Sequence, residues 1–267
     1  MEIKRLPLEI TPESTGLAYQ DVHFTSRLDR VLLKGWFFPG NKEQVILVVH
    51  GGYQHRVDES VGTLGLTSDL VSNGYSVLLF DLRGRGESEG RGLALSFIDE
   101  DIGGAVDFLH DMGYSQDDVG IMGFCSGAVL SCIYASRNDV GALILDGCFI
   151  DIPTMVVKQA NSVGVPGFLT WVFIPGLEMM TGVVYDYELI NPIDVVGDVN
   201  CPILFIHEEH DEYTTSEETL KLYRASNNAE NEMWEVNGSE HTQAFLTHPV
   251  EYIEKVTGFL ERVYKQD

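Results

Sequence analysis

The sequence predicts an α/β protein, a mostly parallel central sheet flanked by helices. Short β-branched runs alternate with amphipathic stretches along the chain, the order expected when each strand is followed by a helix that covers the sheet. Most of the apolar runs are too continuous for strands wetted on one face and read as strands buried on both. A third sign is a glycine-flanked junction between an apolar run and a helical stretch, "IMGFCSGAV" at residues 121–129, with a cysteine at its centre.

The chain opens on two strands, "LAYQDVHF" and "VLLKGWFF". Six further runs follow: "QVILVVHGG" (44–52), "YSVLLFDLRG" (75–84), "DVGIMGF" (118–124), "VGALILDG" (140–147), "CPILFIHEE" (201–209) and "EMWEVNG" (232–238). Between them, helical periodicity marks residues 57–73, "DEDIGGAVDFLHDMG", "SGAVLSCIYASRN", "SEETLKLYRAS" and the closing "VEYIEKVTGFLERVYK". Composition is even, with no repeat and no Pro/Ser-rich or charged linker, so residues 1–267 read as a single domain. One stretch breaks the rhythm. Residues 149–195, rich in Phe, Trp, Met, Ile and Pro, are far longer than an ordinary connection and read as a lid or cap insertion; an extra pair of helices completing the core is the alternative. Ligands of open α/β sheets bind beyond the C-terminal ends of the strands, where this insertion emerges.

Lys and Arg number 17 against 41 Asp and Glu, a formal charge of −24. A polyanion would have to overcome that field, which argues against nucleic acid and acidic membrane surfaces as partners. The opening "MEIKRLPLEI" has no long apolar core or small-residue cleavage site, and no uncharged run reaches the ~18 residues of a membrane span. A cytoplasmic protein is therefore expected. The four cysteines form no CxxC pair. Cys132, Cys148 and Cys201 read as small buried hydrophobes, and Cys125 stands apart from them.

Gly123-Phe124-Cys125-Ser126-Gly127 joins a strand to a helix and has the G-x-S-x-G spacing of a nucleophile elbow, with Cys125 in the place of the serine. So sharp a turn strains the central residue and requires its neighbours two positions away to lack bulk. By this motif the chain resembles the α/β-hydrolase superfamily, in its lidded esterase and lipase-like branch. Dienelactone hydrolases and bile-acid-type N-acyltransferases are similar in carrying cysteine at the elbow. The resemblance implies an α/β-hydrolase fold and the chain order nucleophile, acid, histidine. That order is present as Cys125, Asp211 after "PILFIHEE", and His241 in "NGSEHTQAF". Asp146, at the end of "ALILDG", is the alternative acid. His248, followed by Pro249, reads as structural. His207, Glu208, His210 and Asp211 lack the H-E-x-x-H spacing of a metal site, so no metal and no cofactor is expected.

His50-Gly51-Gly52 looks like the family's HG loop. The resemblance implies an oxyanion hole made by the amides of Gly52 and Ser126, with Tyr53 as the off-by-one alternative to Gly52. "FDLRGRGES", Asp81 to Ser88, is similar to the family's D-x-R-G-x-G-x-S turn and reads as a loop-shaping element. The helix N-terminus and a protonated His241 would both favour a Cys125 thiolate. The expected function is carboxylic-ester hydrolysis, lactones and thioesters included, through an acyl-cysteine. An acyltransferase using the same intermediate and a catalytically silent binding protein are the alternatives. Tyr53, Phe168, Trp171, Phe173, Met179 and Met180 are candidate pocket residues, and together they argue for an uncharged, partly apolar small-molecule ester. A homodimer is open to such a chain.

Overall fold

The computed structural model describes residues 5–91, 99–162, 164–166 and 190–265. Eight strands form one sheet: β1 (Gln20–Thr25), β2 (Leu32–Phe38), β3 (Val45–Val49), β4 (Ser76–Phe80), β5 (Val119–Phe124), β6 (Ala142–Asp146), β7 (Ile203–Glu208) and β8 (Glu232–Val236). Their order across the sheet is β1-β2-β4-β3-β5-β6-β7-β8. β2 pairs antiparallel with β1 and β4, and every other neighbouring pair is parallel. All eight runs foreseen from the sequence are strands.

Residues of β3 to β7 are buried throughout, because helices cover both faces. Alternation along each strand divides them between two cores. Val45, Leu47 and Val49 of β3 join one cluster with Ile121, Leu143, Leu145 and Phe205. Helices α2 (Glu100–Asp111) and α3 (Ser126–Ala135) cover that face, α2 with Ile102, Ala105 and Leu109. Ile46 and Val48 point the other way and meet Met122, Ile144, Leu204 and Ile206. There α1 (Thr63–Ser72) contributes Leu66 and Leu70, and the closing helix contributes Tyr252, Val256, Phe259 and Leu260. Each such side chain, fully buried, supplies about 1.5–3 kcal/mol of hydrophobic stabilisation. β1 and β8, the two edge strands, depart from the two-faced burial, each being only partly covered over most of its length.

Three further helices of ten residues or more stand among the described residues, beside short helical turns such as Pro192–Val195 and Ala244–Thr247. α4 (Ile152–Ser162) follows β6 and sinks Ile152 and Met155 into the first core. α5 (Ser216–Ala225) starts on a reciprocal cap between Thr215 and Glu218. α6 (Pro249–Tyr264) begins at the proline after His248, which caps it and accepts no catalytic partner; its Nε2 meets the carbonyl of Asn237 at 2.9 Å. Of the proposed lid, α4 is described, whereas Phe168, Trp171, Phe173, Met179 and Met180 lie outside the described residues.

Candidate active site

The turn from β5 into α3 places Cys125 at φ 55° and ψ −122°, a conformation that β-carbon-bearing residues avoid. Two glycines make the turn physically attainable. A β-carbon on Gly123 would lie 2.6 Å from the Gly127 carbonyl oxygen and from Ser131 Oγ, and one on Gly127 would lie 2.3 Å from the Val49 carbonyl oxygen. The Cys125 amide donates to the Asp146 carbonyl at 2.9 Å, which ties the turn to the end of β6. Cys125 is partly exposed, whereas Cys132, Cys148 and Cys201 are buried. Burial pushes the Cys132 and Cys201 thiols up to about 12 and that of Cys148 well above its ordinary range.

Asp211 and His241 come from the loops after β7 and β8. His241 Nδ1 lies 2.6 Å from Asp211 Oδ2. Thr214 Oγ donates to the same oxygen at 2.5 Å, and the amides of Tyr213 and Thr214 donate to Asp211 Oδ1 at 2.7 and 2.9 Å. Burial disfavours the Asp211 carboxylate, but the His241 and Thr214 bonds outweigh it and hold the group below its ordinary range. Burial likewise opposes the His241 imidazolium; the Cys125 sulfur and then Asp211 overcome it and raise the imidazole well above its ordinary range. His241 Nε2 is buried and makes no other hydrogen bond among the described residues. The ring is held by an edge contact with Tyr213 at 5.0 Å and by Phe149 at 5.9 Å. Beneath it passes Gly147, where a β-carbon would lie 2.7 Å from His241 Cε1.

The loop after β3 faces Cys125 from the other side. A β-carbon on Gly51 would be 3.4 Å from Cys125 Cβ, and one on Gly52 would be 2.9 Å from Ser126 Oγ. The peptide planes of this loop are fixed from behind. The Gly51 carbonyl takes His50 Nδ1 at 2.7 Å and the Gln54 amide at 3.2 Å; the Gly52 carbonyl takes Arg85 Nε. Since a trans peptide points its N–H opposite its C=O, these bonds aim the Gly52 and Tyr53 amides away from the bulk of the protein. His50 Nε2 accepts from the Leu82 amide at 3.0 Å, so the ring proton sits on Nδ1. Burial lowers His50 to about 4 and keeps it neutral for that double duty.

The Asp81–Ser88 turn is the scaffold behind this loop. Asp81 accepts from the Arg56 amide at 2.8 Å, Arg56 Nη1 at 3.0 Å and the Glu87 amide at 2.8 Å, and Ser88 Oγ donates to the Asp81 carbonyl at 2.6 Å. Arg83 is tied to Asp101 and Asp29. The roles of His50 and Arg85 escape a reading of the sequence, because a histidine in an HG loop and one arginine among three carry no mark of what their nitrogens will meet.

Asp146, the alternative acid, is fully buried and occupied elsewhere: Tyr252 Oη donates to its Oδ2 at 2.7 Å. Glu208 is also fully buried, with neither carboxyl oxygen in a geometric hydrogen bond. Burial and the neighbouring Asp146 push its carboxyl far up, so it is held protonated. One ligand atom each of Glu208, Asp211 and His241 lie within 4.8 Å of one another. Both Asp211 oxygens are already filled by N–H and O–H donors, which suits a hydrogen-bonded relay better than an ion.

A cleft of about 620 Å³ opens over these groups, lined by Gly51, Gly52, Tyr53, Cys125 and His241 together with Asp58, Glu212, Tyr213 and Glu240. Tyr53 is exposed at its rim.

The strand order with one antiparallel member, the strained turn after β5 and the loops after β7 and β8 define the α/β-hydrolase fold. A sequence model of that fold matches residues 44–172. Among curated proteins, the chain is similar to the uncharacterized protein YqkD of Bacillus subtilis, 25% identical over 241 residues, covering 86% of this chain and 76% of that one. It is likewise similar to the uncharacterized protein YfhR of Salmonella typhimurium, 25% identical over 247 residues, covering 85% and 75%. Among solved structures, the esterase Pf2001 of Pyrococcus furiosus superposes with a TM-score of 0.80 at 22% identity, over 97% of this chain and 98% of that one. No helix of the described residues is long and apolar enough to cross a membrane.

Proposed function

We propose that the chain is a carboxylic-ester hydrolase acting through an acyl-cysteine on Cys125, with His241 as acid and base and Asp211 as its orienting acid. The observation that carries the reading is the pairing of a strained, partly exposed Cys125 with a buried imidazole whose other nitrogen is held by a carboxylate at 2.6 Å. The cysteine at the elbow resembles that of dienelactone hydrolases, and the esterase named among the neighbours of the same fold supports the reaction class.

In the reacting form the proton of Cys125 has passed to His241 Nε2. The thiolate attacks the ester carbonyl carbon and forms a C–S bond, while the carbonyl π pair moves to oxygen. The Gly52 and Ser126 amides receive that oxyanion; neither donates a hydrogen bond among the described residues. Collapse breaks the bond to the leaving oxygen, which takes the proton of His241 Nε2. A water then loses a proton to His241, attacks the thioester and expels the thiolate, so ester and water become acid and alcohol. Thiolate leaves such an intermediate more readily than an amine does, which favours esters, lactones and thioesters over amides. The substrate is a small molecule entering the cleft, with the lid of residues 149–195 as its cover.

Stopped-flow hydrolysis of a short p-nitrophenyl ester, followed by intact-protein mass spectrometry, tests the reading. A burst, an acyl adduct on Cys125 and loss of both in Cys125→Ala are expected; unchanged activity in Cys125→Ala removes the mechanism.

A further inference from the structure

Beside the Cys125–His241 pair, the described residues lining the cleft include the carboxylates of Asp58, Glu212 and Glu240, His210, and the rings of Tyr53 and Tyr213, with no Lys or Arg among them. The acidity is confined to no single loop, since the three carboxylates follow β3, β7 and β8 respectively. The arginines nearest in sequence to the Gly51–Gly52 loop and the β4 turn are committed elsewhere. Arg56 is buried against Asp81 and Glu87 and stacks on Trp36, Arg83 pairs with Asp29 and Asp101, and Arg85 is buried with its Nε on the Gly52 carbonyl. Residues 92–98 and 159–220 contain no Lys or Arg, so neither stretch can bring an ammonium or guanidinium group to the cleft. At the floor lies His241, whose Nδ1 is held by Asp211 and whose ring is raised by the Cys125 sulfur.

We infer that the cleft selects esters carrying a cationic, ammonium-type group. The inference rests on the esterase reading above and names its substrate class. An ammonium entering the cleft meets carboxylates delivered by three loops, two of them the exposed groups of Glu212 and Glu240, beside two tyrosine rings, a lining that attracts a cation by charge and through the ring quadrupole. A carboxylate or phosphate of similar size is repelled by the same three carboxylates. On this inference the substrate keeps the partly apolar frame expected from the lid composition and adds a single positive charge.

Matched pairs test this directly. In one arm the charge sits on the acyl side, comparing p-nitrophenyl esters of a trimethylammonio-alkanoate and of its tert-butyl isostere. In the other it sits on the alcohol side, comparing acetylthiocholine with its uncharged carbon isostere. One screened ion-pair interaction is worth about a tenfold preference, so kcat/KM for the cationic member should exceed that of its isostere by about tenfold or more in at least one arm. That ratio should shrink in Glu212→Gln and further in Glu212→Gln/Glu240→Gln. It should persist in Glu230→Gln, an exposed residue on the loop that enters β8 from the opposite end of the sheet. Preference in a single arm places the ammonium on that side of the ester. Turnover of both members with no preference in either arm overturns the cation inference and leaves the esterase reading standing. A preference equally reduced by Glu230→Gln, or untouched by the double substitution, would mean that overall surface charge and not the cleft is responsible. Absence of turnover and of any acyl adduct with all four esters removes the esterase reading and this inference with it.

Discussion

At position 125 glycine should be more stabilising than alanine, the reverse of the ordinary order. The backbone there is at φ 55° and ψ −122°, where a residue with a β-carbon is strained by about 1–3 kcal/mol. Alanine keeps that strain; glycine releases it. Against the release stands the greater conformational freedom of glycine in the unfolded chain, about 0.5–1 kcal/mol. Both variants lack the sulfur, so the loss of a partner for His241 cancels in the comparison. The net advantage of Cys125→Gly over Cys125→Ala is about 1 kcal/mol, which corresponds to about 2–4 °C in Tm for a chain of this size. Urea denaturation of the two inactive variants at one pH, with matched m-values, measures it. Alanine equal to or above glycine would refute the claim that the turn is strained, and with it the argument that the fold holds the thiol in place at a cost in stability.

Three predictions concern protonation. His241 is raised by the Cys125 thiolate and Asp211, so activity that needs the ion pair survives through neutral pH and falls as the imidazolium is lost on the alkaline side; Asp211→Asn should move that limb to lower pH, and kcat/KM profiles of both proteins check it. In Cys125→Ser any residual activity needs a neutral imidazole and should rise with pH where the parent falls. Glu208 keeps its proton in the folded state while the unfolded chain releases it above a pH of about 4.3. The parent therefore binds more protons folded than unfolded and loses stability as pH rises through the neutral range, by up to about 1.4 kcal/mol per unit from this group. Glu208→Gln, a neutral isostere, should gain on the parent between about pH 5 and pH 8; chemical denaturation at a series of pH values that shows a constant difference would mean Glu208 is ionised in the fold.

Much of this architecture is legible because each central strand announces itself twice, by an unbroken apolar run and by glycine or proline at its edges. β8 was readable only from its position after β7, since its mixed side chains fit an edge strand partly covered along its length. The glycine pair around Cys125 was equally legible, as bulk at Gly123 or Gly127 is impossible for steric reasons that the spacing alone conveys. The buried polar partners were not. Tyr252 lies in the amphipathic pattern of the last helix and looks like any core aromatic, yet its hydroxyl meets Asp146. Glu208 and Asp211 sit in an acidic run, "HEEHDE", where nothing distinguishes these two inward carboxyls from those of Glu209 and Glu212. Long-range pairing of polar atoms depends on three-dimensional placement, whereas hydrophobic periodicity is local.

Asp146 and Gly147 make a gauge block for the whole site. One carbonyl fixes the amide of Cys125, and the next α-carbon stands against the ring of His241. Cys125 and His241, the proposed nucleophile and base, are thus both seated against one dipeptide at the end of a central strand. Tolerances elsewhere can be loose: the loops after β7 and β8 can drift in length or sequence, and the edge strand can shift, without altering the gap that matters, provided this dipeptide stays as it is. The surface of the cleft is free to change what enters it while the spacing of the reacting atoms is set from below.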